Sequence, residues 1–291
     1  MSAQTLLAAQ PRAVREIVGR LLREFREAKR ISRADAALHL GGSESKISRI
    51  ELGDVKVKED DLGRLLTLYG VRPLAEWRAL LDLVRRDNEP QWWHEYRDVL
   101  TDWLCSYLLL ESAAETIRTY EVQFIPGLLQ TRAYAEAVTR LRFGNEAEVQ
   151  RRVNVRMRRQ RMLHQPGSPR LWAVVDEAAL RKQVGGPQIM REQLESLIRA
   201  GRRRDALIQV LPFGAGGRAG AGNSFSILRL RSQHLLDVVY LEQIDSALFF
   251  ADQGQSDPYL EEMTRIGVAA KPPEETEAFI KTILRERDSA P

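Results

Sequence analysis

The stretch GGSESKISRIELG, residues 41–53, holds the side chains of this chain best placed for recognition. At 100° per residue, Ile47 and Ile50 fall on one side of a helix. Ser45, Ser48 and Arg49 fall on the other, flanked by Glu44 and Lys46, and Leu52 joins them in the last turn. Such a face is suited to making hydrogen bonds. Small residues let a helix enter a groove about 12 Å wide, hydroxyls bond to bases or phosphates, and a guanidinium forks onto guanine O6 and N7. Glu44 can accept from cytosine N4. The face fits the DNA major groove, and it also fits an ordinary solvated surface helix.

A helix that buries two isoleucines must be held by its neighbours. Residues 14–29 predict an amphipathic helix, with Val14, Ile17, Val18, Leu21, Leu22 and Phe25 in one stripe. Ser32 reads as an N-cap, with Asp35 completing a capping box for a short Ala-rich helix over 33–40. The Gly41-Gly42 pair makes a turn, Ser43 caps the helix over 44–52, and Gly53 closes it. A fourth helix carries Leu62, Leu65, Leu66 and Tyr69 and stops at Gly70. Pro73 opens a fifth, with Leu74, Trp77, Leu80, Leu81 and Val84 on one side. Five helices predict a compact all-α domain over residues 1–86.

Charge follows the same division. Residues 1–86 hold 17 Lys and Arg against 12 Asp and Glu, whereas residues 87–291 hold 27 against 28. A basic module on a near-neutral body points to a polyanion partner. The 291 residues exceed one average domain. No apolar run approaches the roughly 18 residues a membrane span needs, and the N-terminus lacks the pattern of a signal peptide. The single cysteine, Cys105, excludes an intrachain disulfide and fits a reducing cytoplasm. It is expected to pack as a small hydrophobe.

Residues 87–110 form an aromatic-rich connecting helix with Trp92, Trp93, Tyr96, Trp103 and Tyr107, read as a buried inter-domain helix or as an aromatic pocket. Residues 111–291 predict an α+β domain. Strand-like AETIRTYEV is followed by a helix from Pro126, an Arg-rich helix over 146–164, a strand at 171–177 and a helix at 187–201. LIQVLP, FSILRLR, DVVYLEQ and SALFFAD then run as four strands, with helices near 255–267 and 273–287. Strands in a run argue for a mainly antiparallel sheet, and so for an α+β fold overall.

No constellation suggests turnover. GAGGRAG, residues 214–220, imitates a nucleotide loop, but a strand follows it where a helix should, so it reads as a hairpin loop. His39, His94, His164 and His234 have no ligand spacing, so neither metal nor cofactor is expected. Glu111, Glu115, Asp176 and Glu177 show no spacing of a catalytic pair. RRVNVRMRRQR, residues 151–161, reads as a solvated or ion-paired face or as an auxiliary contact to DNA or an acidic partner. Leu128 and Leu129 are adjacent and cannot both face one core stripe, so one of them is expected outward; the alternative buries both between helix and sheet.

REAKRISRADAALHLGGSESKISRIELGDVKV resembles the helix-turn-helix of XRE-family, Cro/repressor-like transcriptional regulators, through Ser43, Ser45, Ile47, Ser48, Arg49, Glu51 and Gly53. The resemblance implies DNA binding, with the third helix reading bases. It implies a buried pair of Glu51 with Arg26. Arg33 replaces the family's usual Gln and suits a phosphate contact, and Lys56 and Lys58 join it there. Gly42 replaces a branched apolar residue, which points to a looser turn. One module binds weakly, so a homodimer on two half-sites is expected.

ETIRTYEVQFIPGLLQTRAYAEA, VRMRRQRML, VVDEAALRKQVGG, IQVLPF and GNSFSILRL occur in the order seen in the C-terminal domain of actinobacterial WhiJ-type, antitoxin-like regulators, which they resemble over most of residues 105–285. That likeness implies a small partner protein encoded by a neighbouring gene, with Leu128, Leu129 and Tyr134 as candidate contacts. The expected function is a sequence-specific transcriptional regulator that is not an enzyme. The alternatives are an antitoxin that autoregulates and a DNA-tethered metabolite-processing enzyme.

Overall fold

The structure, a computed structural model, describes residues 12–71, 74–165, 167–203, 206–215, 222–231 and 237–289. Pro73, the Leu74 side chain, His234 and residues 216–220 of the glycine-rich segment lie outside them. No helix among the described residues is long and apolar enough to cross a membrane.

The N-terminal helices are α1 (Ala13–Ala28), α2 (Arg33–Leu40), α3 (Glu44–Glu51), α4 (Glu59–Leu68) and α5 (Leu74–Asn88). Val14, Ile17, Val18, Leu21 and Leu22 of α1 are buried, and each contributes about 1.5–3 kcal/mol by leaving water. The start of α2 is a capping box. Ser32 Oγ accepts from the Asp35 N–H at 3.0 Å, and the Asp35 carboxylate accepts from the Ser32 N–H at 3.3 Å.

The connecting segment is not one helix. A 3-10 turn over Trp92–Tyr96 precedes α6 (Asp102–Ala113), which runs directly into β1 (Ala114–Glu121). Residues Ser106 to Glu111 are all buried, as expected of a helix enclosed on every side. Of the aromatic group, Trp93 and Tyr107 are buried and Trp92, Tyr96 and Trp103 are partly so. Trp92 and Tyr96 meet arginines: Arg158 stacks on Trp92 at 4.7 Å and Arg151 on Tyr96 at 5.0 Å.

After β1 come a 3-10 turn over Gly127–Leu129, α7 (Arg132–Arg140), α8 (Glu146–Met162), β2 (Arg170–Asp176), α9 (Glu177–Arg181), α10 (Pro187–Gly201) and β3 (Ala206–Leu211). The chain ends with β4 (Phe225–Leu230), β5 (Val238–Glu242), β6 (Ala247–Phe250), α11 (Gln253–Ala269) and α12 (Pro273–Asp288). The six strands lie in the order β3-β2-β1-β4-β5-β6. Helical crossovers make β1–β2 and β2–β3 parallel, and β1–β4, β4–β5 and β5–β6 are antiparallel. The domain is α+β with a mixed, mostly antiparallel sheet.

One core continues from α1–α5 through α6 to one face of the sheet, where α10 and α12 also pack. On the other face, Met263 and Ile266 of α11 meet Tyr120, Val174, Ile227 and Val239.

Two expectations about the PGLLQT segment are corrected. The helix starts at Arg132, not Pro126, because Gln130 is extended and Thr131 Oγ1 caps the Tyr134 N–H. Leu128 and Leu129 are both buried, at 9% and 8% exposure, and Tyr134 is fully buried with its hydroxyl accepting from the Ile125 N–H at 3.2 Å. A 3-10 turn held between α8 and α10 is enclosed from two sides, so adjacent leucines both find cover. All three side chains are buried, so the expectation that one leucine points outward does not hold, and the alternative reading, both buried, does.

Candidate nucleic-acid interface

Ser43 starts α3, its hydroxyl accepting from the Lys46 N–H at 3.2 Å. Ile47 and Ile50 are buried; Glu44, Ser45 and Arg49 are exposed, with Ser48 and Lys46 partly so. Leu52, at 58% exposure, extends the outer face. The backbone of α1 lies hard against this helix. A Cβ on Gly19 would stand 2.4 Å from the Ile50 carbonyl oxygen, and one on Gly53 2.6 Å from the Glu16 nitrogen. Gly53 also has φ of +72°, which favours glycine for a second reason.

The inner anchor is ionic. Arg26 Nε and Nη2 donate to Glu51 Oε1 at 2.6 Å and Oε2 at 3.0 Å, and Arg26 Nη1 donates to the Ile31 carbonyl at 2.9 Å. The two side chains are 8% and 3% exposed. The bond to Glu51 raises the Arg26 pKa further, and burial followed by the Glu51 charge pushes the nearby Tyr69 phenol up to about 12. Glu51 Oε2 also accepts from Arg33 Nε at 3.2 Å. Arg33 is thus exposed at the start of α2 and tied back to the same carboxylate.

The other candidate cations are also placed by bonds. Lys46 pairs with Asp61 of α4 at 2.7 Å. Lys56 is exposed in the loop after α3 and donates to the Asp87 carbonyl. Lys58 is exposed at the N-cap of α4. The turn between α2 and α3 is fastened despite Gly42. Arg64 of α4 donates to the His39 and Leu40 carbonyls, and the Gly42 N–H to the Ala37 carbonyl at 2.9 Å. The sequence alone names neither Gly19 and Asp61 as partners of α3 nor Arg64 as a partner of the end of α2. Of the three, only Gly19, a small residue inside the stripe of α1, left a trace in the sequence.

Elsewhere the acidic candidates each have partners of their own. Glu111 forks with Arg159 at 2.7 and 2.9 Å, Asp176 caps the Ala178 N–H, and Glu177 pairs with Arg181. Glu115 stands 4.0 Å from Arg170. Burial pushes Glu121, at the end of β1, up to about 7, but it lines neither of the two pockets bordering α8. Within the Arg-rich run, Arg151 pairs with Asp98, Arg152 with Glu148 and Arg158 with Glu95. Burial raises the Cys105 thiol pKa.

Residues 17–83 match a helix-turn-helix domain, and residues 104–282, more than half of the chain, match a domain of unknown function, DUF5753. No curated protein and no solved structure matches the chain. The helix-turn-helix match supports a DNA-binding regulator over an enzyme. The chain belongs to the DUF5753 family, with a helix-turn-helix domain preceding the family domain.

Proposed function

We propose that this protein is a sequence-specific transcriptional regulator of the XRE kind that binds operator DNA as a homodimer. In this reading α3 enters the major groove, Arg49, Ser45, Ser48 and Glu44 face base edges, and Arg33, Lys46, Lys56 and Lys58 lie along the phosphates. The observation that carries the reading is the contrast between the two sides of α3. Its inner side is clamped by Arg26–Glu51 and by close backbone contact, while Ser45 and Arg49 are exposed and their side chains bond to no other group among the described residues. A dimer would place two such helices about 34 Å apart, one turn of the duplex.

Arg49→Ala tests the reading. If the guanidinium forks onto a guanine, affinity for the selected site falls by about 1–3 kcal/mol and preference relaxes at one base pair. Equal losses on selected and random DNA would make Arg49 a phosphate contact. Lys56→Ala should weaken binding to every sequence alike and reduce the salt slope by about one ion. An unchanged slope would remove Lys56 from the interface.

The C-terminal domain is the regulatory half. The WhiJ-type resemblance supports a small protein partner for it, and the antitoxin reading rests on that resemblance alone.

A further inference from the structure

A pocket of about 160 Å³ opens where the last turn of α5 meets the C-terminal domain. Its polar lining is Arg86, Glu111, Ser112, Arg159, Gln165 and Ser168. Leu128, Met162 and Leu163 make an apolar wall. Arg159 spends Nε and Nη2 on the two oxygens of Glu111, so that pair is neutral as a unit. Arg86 is different. Its Nη1 reaches Ser112 Oγ only at 3.5 Å, the outer limit of a hydrogen bond, and no carboxylate among the described residues pairs with it. A second guanidinium, Arg231, stands beside the lining residue Gly167, 3.7 Å from where a Cβ would lie. The pocket thus combines a guanidinium, Arg86, that pairs with no carboxylate among the described residues with an apolar wall, in a volume close to the roughly 150 Å³ that holds a benzene ring.

We propose that this pocket is an effector site for a small organic acid with a compact apolar body. The carboxylate would fork onto Arg86, and the body would lie against Leu128, Met162 and Leu163. The site joins the DNA-facing loop through consecutive residues. Beside Arg86, the Asp87 carboxylate accepts from Arg15 of α1 at 2.9 Å and its carbonyl accepts from Lys56. Asn88 Nδ2 then donates to the Val57 carbonyl at 2.8 Å. A ligand that fixes Arg86 holds Asp87 in place and keeps Lys56 on its carbonyl, away from phosphate. The effector therefore weakens DNA binding, and DNA weakens effector binding by the same factor. This coupling rests on the DNA-binding reading above; the pocket itself does not.

The test uses the full chain with benzoate as the probe and benzamide as its neutral isostere. Calorimetry at constant ionic strength is expected to show saturable one-to-one binding of benzoate at low millimolar or tighter, and none of benzamide. Arg86→Met should weaken it roughly tenfold, about 1.4 kcal/mol, with an unchanged melting temperature, and Arg86→Lys should recover part of the loss. Saturating benzoate should lower affinity for the selected DNA about fivefold or more, but not in Arg86→Met. No saturable benzoate binding up to about 20 mM, equal binding of benzamide, or full binding by folded Arg86→Met and Arg86→Lys would overturn the site. DNA affinity unmoved by saturating benzoate would overturn the coupling. A protein that binds no DNA at all would count against the reading above and against the coupling, while the calorimetric result still decides the pocket.

Discussion

Glu51→Ala is expected to destabilise the helix-turn-helix domain by about 3–5 kcal/mol, because it leaves the Arg26 guanidinium buried without its carboxylate. The effect is at the large end for a point substitution, for two reasons. Arg26 is 8% exposed and cannot swing into water without opening the contact between α1 and α3. Arg33 also loses the oxygen that holds its Nε. The hydrogen bond from Arg26 to the Ile31 carbonyl survives and limits the loss. Chemical unfolding of the full chain, followed by a signal from the N-terminal helices, measures it. The double variant Arg26→Met with Glu51→Met should recover much of the loss, because it removes the orphaned charge. A Glu51→Ala protein with wild-type unfolding but no DNA binding would make Glu51 a reader, contrary to the account.

Glu111→Ala should be comparably damaging in the other half of the molecule, again by about 3–5 kcal/mol. Its carboxylate is 2% exposed and accepts both hydrogen bonds of Arg159, whose side chain is only 13% exposed. Arg159 keeps a cation–π contact with Tyr107 at 5.3 Å, which offsets a small part of the loss. Because α6 carries Glu111 and leads into β1, the damage should spread into the sheet and appear as lost near-ultraviolet dichroism of its tyrosines. A loss under about 1 kcal/mol would place the pair among exposed ones, against its burial.

The helices of the N-terminal domain were legible because local chemistry marks their ends. Ser32 with Asp35, Ser43 and Gly53 each act within a few residues of where they sit. The inner and outer sides of α3 followed from its period. The pair of Arg26 with Glu51 is legible only through the family resemblance, since 25 residues separate the two. Lys46 with Asp61, and Arg64 with the end of α2, join elements whose relative placement no local pattern encodes. In the second domain the strands were legible and the parallel pairings were not. Reading β3 to β6 as a run hid the fact that β1, β2 and β3 are separated by helices long enough for crossovers. Leu128 and Leu129 failed for a related reason: a one-stripe argument assumes a helix with one covered side, and the segment is a turn covered on two.

The central claim is that the outer side of α3 reads base sequence. The most direct test is selection of bound duplexes from a random library by the full chain, repeated with Ser45→Ala and Arg49→Ala introduced together. The account predicts an enriched motif with two related half-sites about one helical turn apart, and loss of preference in the variant at the same positions of both half-sites. Enrichment of no motif by the wild-type protein, or the same motif recovered unchanged by the variant, would contradict it.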